Sequence, residues 1–219
     1  MSDGSLPIVY WPLMLAATYL LGSIPFAQIV ARVNGVDLRK VGTGNIGAGN
    51  VTANIGKAWG TVAAVLDGLK GLIPVYLGKK IGLGPGAAGM LGVAAVAGHN
   101  WSVFMKGRAG RGLATSAGMI IALDWPLLIW PFAWSVVGWR IGGGIAGFFG
   151  WGLLPFVAIL TGQPYTEVVL LFILTAVLMI RRMQGNPDSP RDLHSTLRRA
   201  IYDDPYPDLP ETVEDPITP

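Results

Sequence analysis

Long runs of apolar residues, separated by short loops that carry most of the charge, are the feature that most constrains this chain. Hydrophobic residues make up 52% of the 219 residues and charged residues 13%, and the mean hydropathy is +0.50. Soluble domains contain about 25% charged residues, and an apolar helix needs roughly 20 residues to cross a bilayer. The composition therefore predicts an all-α polytopic integral membrane protein.

Seven apolar segments are predicted to cross the membrane, within a transmembrane domain that covers residues 1–182. The segments are residues 8–33, 58–78, 87–105, 113–123, 125–139, 141–160 and 168–180. The fourth and fifth are short for a bilayer core of about 30 Å. They are open to three interpretations, as tilted helices, broken helices or one re-entrant pair.

The distribution of basic residues predicts the orientation of the chain, because cytoplasmic loops are enriched in Lys and Arg. With seven crossings and the N-terminus outside, 13 of the 16 basic residues lie inside, Lys79 and Lys80 lie outside, and Lys70 lies within a span. This orientation places two basic glycine-rich loops, residues 34–57 and 106–112, on the cytoplasmic face. We expect the active site there.

The composition changes after Arg182. Residues 183–219 are rich in proline and contain eight of the 13 acidic residues. Such a segment buries too little apolar surface to offset the entropy lost on folding. We therefore predict a disordered cytoplasmic tail, with one short surface helix at residues 193–202.

Some kinds of site are excluded by composition. The chain has no cysteine and only two histidines, His99 and His194. Disulfides, thiolate metal sites and cysteine nucleophiles are therefore excluded, and a multi-histidine metal site is not expected. We predict no cofactor, no metal and no nucleic-acid partner, and the sequence identifies no protein partner.

The first basic loop contains the sequence GTGNIGAGN at residues 42–50, with Arg39 and Lys40 before it and Lys57 after it. Glycines allow successive backbone N–H groups to turn toward one point and bind an anion. The glycine spacing matches neither the dinucleotide-binding fingerprint nor the P-loop, so a nucleotide is not the expected ligand. A flexible cytoplasmic loop is the alternative interpretation of this segment alone.

The second basic loop lies in GHNWSVFMKGRAGRGLATSAG, residues 98–118, and contains Lys106, Arg108 and Arg111. A helix that begins near Leu113 would direct the partial positive charge of its N-terminus at this loop. Anchoring of the chain at the membrane surface is the alternative interpretation. Two basic glycine loops on one membrane face together indicate a phosphate site at the cytoplasmic surface.

Asp67 and Lys70 are two charged residues inside the second predicted span. Their separation by three residues places them on one face of a helix, and each alone would be costly in lipid. They are expected either to form a structural ion pair or to contact the substrate. His99 adjoins the second basic loop, where a site role and a structural role are both open.

These stretches resemble the PlsY family, the bacterial membrane glycerol-3-phosphate acyltransferases that use acyl phosphate. The sequence YLLGSIPFAQIVARVNGVDLRKVGTGNIGAGNV, residues 19–51, is similar to the family's GSIP, GVDLR and GSGNxGATN. GKAWG, LDGLKG and IPV follow within residues 56–75. GH at 98–99 and RAGRGLAT at 108–115 resemble the family's GH followed by KGGKGVAT. The resemblance covers most of residues 19–180 in order and implies seven transmembrane helices with the N-terminus outside.

The resemblance also implies an activity and a location. The family transfers an acyl group from acyl phosphate to the 1-hydroxyl of sn-glycerol 3-phosphate, giving lysophosphatidate and phosphate for phospholipid biosynthesis at the bacterial plasma membrane. An acyl phosphate is already activated, so no acyl-enzyme is needed. The protein has to align two phosphates and stabilise developing oxyanion charge, which glycine loops and cations do.

Site residues follow from the family motifs, position by position. The resemblance implies catalytic roles for Thr43, Asn45, His99 and Arg111. It implies phosphate binding by Arg39, Gly42, Gly44, Gly47, Asn50, Arg108, Gly110, Gly112 and Thr115. Supporting roles are implied for Asp67, Lys70, Arg181 and Arg182.

The chain departs from the family motifs at several positions. Thr43 stands where the family has serine, Arg108 and Arg111 where it has lysines, Gly49 where it has threonine, and Ala53 where it has a phosphate-binding arginine. The third motif, RHxxN followed by an arginine, reads RRMQGNPD here, with Arg181 in register, Arg182 in the histidine position and Gly185 in the asparagine position. An arginine elsewhere, such as Arg182, is expected to supply the missing cation.

Two alternatives to an active acyltransferase stay open, and the departures favour the first of them. The first is a catalytically silent paralogue that binds a phospholipid or partners the active enzyme. The second is a small anion transporter, although the sequence does not indicate the paired broken helices at the bilayer midplane that are typical of transporters.

Overall fold

The computed structural model describes residues 9–107, 109–141, 143–185 and 192–201. Arg108 and most of the predicted tail lie outside the described residues. The described chain is helical, which confirms the all-α prediction. Its helices are α1 Tyr10–Ser23, α2 Phe26–Val33, α3 Ala48–Asn54, α4 Lys57–Lys80, α5 Pro85–Asn100, α6 Leu113–Asp124, α7 Ile129–Ile141, α8 Gly143–Gly152, α9 Leu154–Leu160, α10 Tyr165–Gln184 and α11 Leu193–Ile201.

Four stretches of the described helices are long and apolar enough to cross a membrane. They are Tyr10–Val33, Lys57–Lys80, Leu113–Gly138 and Gly143–Leu160. The fourth and fifth predicted spans fall within one of these stretches, because α6 continues through the 3₁₀ turn Trp125–Leu128 into α7. The count of seven crossings and the outward N-terminus stay predictions.

The first apolar segment is divided into α1 and α2 at Ile24 and Pro25. Proline disfavours the helical conformation in the residue before it, and Ile24 has an extended backbone with φ −61° and ψ 118°. This break leaves the carbonyl groups of Gly22 and Ile24 available to a donor from another helix.

Glycines bring α6, which follows the second basic loop, into close contact with α4. A Cβ at Gly71 of α4 would overlap the Thr115 carbonyl of α6, and a Cβ at Gly118 would overlap the Gly68 carbonyl. Small residues at such contacts allow two helix backbones to approach closely. The start of α6, and the loop before it, are thereby fixed against α4.

Part of the predicted disordered tail is folded. Residues 193–201 form α11, which packs against α8 and α10. The short helix expected in this region is therefore present, and Arg182 and Arg199 bind it to α10. Residues 186–191 and 202–219 lie outside the described residues, and the domain boundary at residue 182 stays a prediction.

Candidate functional site

The first glycine loop is organised by the side chain of Asn50. Its Nδ2 donates to the carbonyl oxygens of Leu38, Val41 and Asn45 at 3.0–3.1 Å. Gly42 has a φ of 55°, in the left-handed region that favours glycine. The Asn50 amide therefore holds the shape of the loop, a different task from the phosphate contact that the sequence implied.

Buried apolar residues anchor the first glycine loop to the neighbouring helices. Leu38, Ile46 and Val51 alternate with the glycines and are buried against α2 and the start of α4. Burial of aliphatic side chains of this size contributes about 1.5–3 kcal/mol each. A segment that is mostly glycine is therefore fixed at both ends and at its centre.

Arg39 and Asp37 form a second anchor at the start of the loop. Arg39 Nη2 lies 2.6 Å from Asp37 Oδ2, and Arg39 Nε donates to Asp37 Oδ1 at 2.9 Å. Arg32 and Gln28 also bind this carboxylate. The hydrogen bond from Arg39 holds the pKa of Asp37 well below its usual range. Arg39 is thus held beside the loop by an acid, and its side chain is 41% exposed.

The two glycine loops meet at Gly110. A Cβ there would overlap Nε2 of His99 and would lie 2.6 Å from the Ile46 carbonyl oxygen of the first loop. Only glycine allows the second loop to approach both groups this closely. The structure thus brings residues 42–50, residues 109–112 and His99 into one site, as the sequence predicted for the two loops.

Behind His99 lies a buried group that consists of Asp67, Lys70 and His99. Lys70 Nζ lies 2.8 Å from Asp67 Oδ1, and both side chains are 2% exposed or less. Lys70 Nζ also donates to the carbonyl oxygens of Gly22 at 3.0 Å and Ile24 at 2.8 Å. The break between α1 and α2 supplies these two acceptors. The ion pair that the sequence offered as one interpretation is therefore present.

The hydrogen bonds of Lys70 favour one tautomer of His99. An ammonium group has three N–H donors and no acceptor. Two of them are used by the Gly22 and Ile24 carbonyls, and Nδ1 of His99 lies 3.0 Å away as the third acceptor. Asp67 Oδ1 lies 2.8 Å from Lys70 Nζ and 3.6 Å from His99 Nδ1. A hydrogen bond from Lys70 to Nδ1 places the proton of neutral His99 on Nε2, the atom that faces Gly110 and the two loops, and we infer this tautomer.

Three buried polar residues lie beside the loops, and two of them, Asn100 and Ser116, were missed from the sequence. Asn100 and Ser116 are fully buried, as is Thr115, which was expected in the site. Their side-chain polar atoms have no hydrogen-bond partner among the described residues. Asn100 Oδ1 would lie 2.6 Å from a Cβ at Gly112. The sequence signal for Asn100 is an amide directly after His99 at the end of an apolar helix.

Arg181 fixes the second loop from the far side. Its Nη2 donates to the Ala109 carbonyl at 2.8 Å and its Nη1 to the Gly185 carbonyl at 2.6 Å. The side chain is buried, and the charge of Arg111 acts on it. Two guanidinium groups beside a glycine loop favour a bound anion.

Arg182, which was expected to replace the missing motif cation, contacts the tail helix α11. Its Nε donates to the Ala200 carbonyl of α11 at 2.8 Å. The guanidinium is thus engaged by the tail helix, although the sequence suggested it as a replacement for the missing motif cation. Thr43 is exposed on the first loop, where its Oγ1 accepts from the Asn45 N–H at 3.4 Å.

The departures at residues 49 and 53 lie on open surface. A Cβ at Gly49 would meet nothing within 4 Å, and Ala53 is exposed on α3. Both positions therefore have room for the larger residues of the family motif. Arg108, another expected phosphate ligand, lies outside the described residues.

An apolar cavity of about 500 Å³ lies between α6, α7 and α8. Its lining includes Ala117 and Ile121 of α6, Phe132 of α7 and Trp151 of α8. Leu113, Ala117 and Ile121 are four residues apart and share one face of α6. This face leads from the second glycine loop to the cavity.

Comparison with known proteins shows the family to which the chain belongs. A family model described as glycerol-3-phosphate acyltransferase matches residues 12–189. The glycerol-3-phosphate acyltransferase of Thermus thermophilus is 39% identical over 177 residues, which cover 77% of this chain and 84% of the relative. That of Rubrobacter xylanophilus is 38% identical over 175 residues, which cover 79% and 88%.

Solved structures give the same result. A crystal structure of PlsY, an integral membrane glycerol 3-phosphate acyltransferase, in its glycerol 3-phosphate form superimposes with a TM-score of 0.73. The sequences are 31% identical, and the match covers 80% of this chain and 88% of that one. The fold is therefore that of an integral membrane protein, and the chain belongs to the PlsY family of glycerol-3-phosphate acyltransferases.

Proposed function

We propose that this protein transfers an acyl group from an acyl phosphate to the 1-hydroxyl of sn-glycerol 3-phosphate. The names of its relatives support acyl transfer to glycerol 3-phosphate, and the family resemblance implies the acyl phosphate and the 1-hydroxyl. The observation that carries the proposal is the meeting of the two glycine loops at Gly110, against Nε2 of His99. Two substrates that each carry a phosphate need two adjacent anion sites, and the contact at Gly110 makes the two glycine loops adjacent.

The reaction is an acyl transfer between two oxygen atoms. The 1-hydroxyl oxygen of glycerol 3-phosphate attacks the acyl carbon, and the bond from that carbon to the phosphate oxygen breaks. The products are lysophosphatidate and inorganic phosphate, which retains the proton lost by the hydroxyl. No acyl-enzyme is required, consistent with the absence of cysteine from the chain. The protein contributes alignment and charge stabilisation.

His99 acts as a hydrogen-bond donor in this scheme. Its Nε2–H faces the two loops, and the ion pair of Lys70 with Asp67 fixes the ring from behind. The donor stabilises either a substrate phosphate or the oxyanion that develops on the acyl carbon. Loss of one such donor commonly lowers kcat by about 100-fold or more.

Cations around the loops bind the two phosphates. Arg111 and Arg39 lie at the second and first loops, and Arg181 holds the Ala109 carbonyl in place. The N–H groups of Gly42, Gly110 and Gly112 add donors without side-chain bulk, whereas those of Gly44 and Gly47 donate to the Val41 and Asn45 carbonyls within the first loop. Thr43 is exposed on the first loop and Asn45 is half-buried beside it, and in this proposal both contact the soluble substrate.

The acyl chain of the donor occupies the apolar cavity along α6. Leu113 lies beside the second loop and Ile121 lines the cavity, so one helix face joins the phosphate site to apolar space. Eight residues of helix span about 12 Å. The phosphate of an acyl phosphate then stays at the loops while its chain lies along α6.

The site faces the cytoplasm in this proposal, and the protein lies in the bacterial plasma membrane. Glycerol 3-phosphate is a charged, soluble substrate, so the loops that receive it need access to water. The excess of basic residues in residues 34–57 and 106–112 supports the cytoplasmic side.

An acylation assay of the purified, reconstituted protein tests the proposal. With palmitoyl phosphate and glycerol 3-phosphate, we expect lysophosphatidate and phosphate in equal amounts, and no product when palmitoyl-CoA replaces the acyl phosphate. Binding of glycerol 3-phosphate without any turnover would support the silent paralogue instead. Turnover with the thioester alone would refute the acyl phosphate as donor.

A further inference from the structure

The helix α11, Leu193–Ile201, presents an apolar line on its exposed side. Leu193, Leu197 and Ile201 are 74%, 52% and 38% exposed, and their spacing of four residues places them on one face. Arg199, on the opposite face, is 4% exposed. The helix thus turns its apolar side chains away from the protein and one charged side chain toward it.

Two arginines hold α11 in this orientation. Arg182 of α10 donates from Nε to the Ala200 carbonyl at 2.8 Å, at the C-terminal end of α11. Arg199 of α11 donates from Nε to the Met183 carbonyl at 3.0 Å, at the C-terminal end of α10. Each helix therefore receives a cation at its negative end from the other helix. Rotation of the apolar line toward the bundle would break both contacts.

The position of α11 is at the end of a candidate membrane span. Arg182 Nη1 lies 3.1 Å from the place of a Cβ at Gly147 in α8. Gly147 is four residues inside the candidate span Gly143–Leu160, which corresponds to about 6 Å along a helix. Since Arg182 also contacts α11, this helix lies about one helical turn from the edge of the apolar layer.

We propose that the apolar line of α11 lies in the surface of an anionic lipid bilayer. His194 and Arg198 are exposed along one side of the line, and the exposed Asp192 precedes the helix, where its Oδ1 accepts from the Ser195 N–H. An apolar face bordered by basic residues is typical of helices that lie in the headgroup region, and the cytoplasmic leaflet attracts such residues. Arg182, which stands in the histidine position of the family's third motif, then serves to hold this surface helix.

Spin labelling tests this placement directly, because the chain has no native cysteine. The full chain with Leu197→Cys carries a nitroxide and is reconstituted in nanodiscs of phosphatidylglycerol and phosphatidylcholine. Accessibility to oxygen and to a water-soluble nickel chelate is then measured. Leu69→Cys on α4 is the lipid reference and Lys40→Cys in the first loop is the water reference. A label at Leu193→Cys repeats the measurement if the first variant does not fold.

We expect the label at residue 197 to resemble the lipid reference, with high oxygen and low nickel accessibility. The depth of the label in the bilayer should decrease in nanodiscs of phosphatidylcholine alone and in the Arg198→Gln variant. Nickel accessibility equal to the water reference would overturn the proposal. Dipolar broadening between labels would overturn it in favour of a second copy, and nickel accessibility that rises on removal of residues 202–219 would assign the face to the tail. No substrate is used, so the result is independent of the proposed activity.

Discussion

At the scale of single residues, the contact between His99 and Gly110 determines what the site is able to do. Histidine in the family motif was evident from the sequence, and so was the glycine loop. The tautomer of His99 was not evident from the sequence, because it depends on Lys70 and on two carbonyl groups that the helix break at Pro25 leaves available. Asn100 was missed because a single buried amide next to a motif residue has no spacing signal of its own.

Substitution of His99 by glutamine or asparagine distinguishes the roles of its two ring nitrogen atoms. Glutamine places an N–H near the position of Nε2, whereas asparagine places it near Nδ1. We expect His99→Gln to retain more activity than His99→Asn, and His99→Ala to lose about 100-fold in kcat. The measurement is steady-state acyl transfer with palmitoyl phosphate.

The nitrogen NMR signals of 15N-labelled histidine provide the matching control. The chain has only two histidines, so His194→Asn leaves His99 alone in the spectrum. The Nε2–H form is expected in the wild type, and Lys70→Met should allow the other tautomer. Equal activities of the glutamine and asparagine variants, or an Nδ1–H signal in the wild type, would contradict the assignment.

Ala53 gives a second test at this scale, because it stands where the family has a phosphate-binding arginine and is exposed. A charged hydrogen bond contributes about 1.5–3 kcal/mol, and 1.4 kcal/mol corresponds to a factor of 10. We expect Ala53→Arg to lower the KM for glycerol 3-phosphate by about tenfold. Ala53→Met, with similar length and no charge, should leave it unchanged. An unchanged KM for the arginine variant would show that phosphate is held elsewhere.

At the scale of elements, the first glycine loop is the part that sequence patterns describe least well. Its composition predicts flexibility, yet Leu38, Ile46 and Val51 anchor it and Asn50 bonds its carbonyls. These contacts join residues that are far apart along the loop, so no local sequence pattern indicates them. The all-α fold was predicted correctly, because long apolar runs leave few alternatives in a membrane, whereas the count of seven crossings stays a prediction.

The Asp37 cluster predicts how the loop responds to pH. Because the folded-state pKa of Asp37 is depressed, its contribution to stability is present above the unfolded value of about 3.9 and is lost as the pH falls below it. The stability difference between wild type and Asp37→Asn should be constant near pH 6–7 and shrink below about pH 4. Thermal unfolding in detergent at several pH values measures it. A difference that persists undiminished to pH 3 would contradict the role of the carboxylate.

At the scale of the whole molecule, one face of α6 links the phosphate loops to apolar space. The order of the motifs along the chain was readable from the sequence, and their convergence was expected from charge. The cavity was not predictable, because it depends on how α7 and α8 pack beside α6. The helix α11 was expected, but its docking was not predictable, since it depends on arginines that are indistinguishable in the sequence from ordinary positive-inside residues.

Filling the cavity tests its role in chain selection. Ile121→Trp should lower kcat/KM for palmitoyl phosphate by about tenfold or more, because the added ring takes space that the chain needs. A short donor such as octanoyl phosphate should be affected much less. Ile73→Trp, on an exposed face of α4, is the matched control. Equal losses with both donors would indicate that the chain lies elsewhere.

The central claim, that the two glycine loops meet at His99 to form one acyl-transfer site, is tested most directly by a pair of glycine variants. Gly110→Ala places a Cβ against His99 and the Ile46 carbonyl, whereas Gly49→Ala adds the same group where nothing lies within 4 Å. Acyl-phosphate-dependent formation of lysophosphatidate should fall by about 100-fold or more in the first variant and stay within twofold of wild type in the second, with both proteins folded. Full activity in Gly110→Ala would contradict the account.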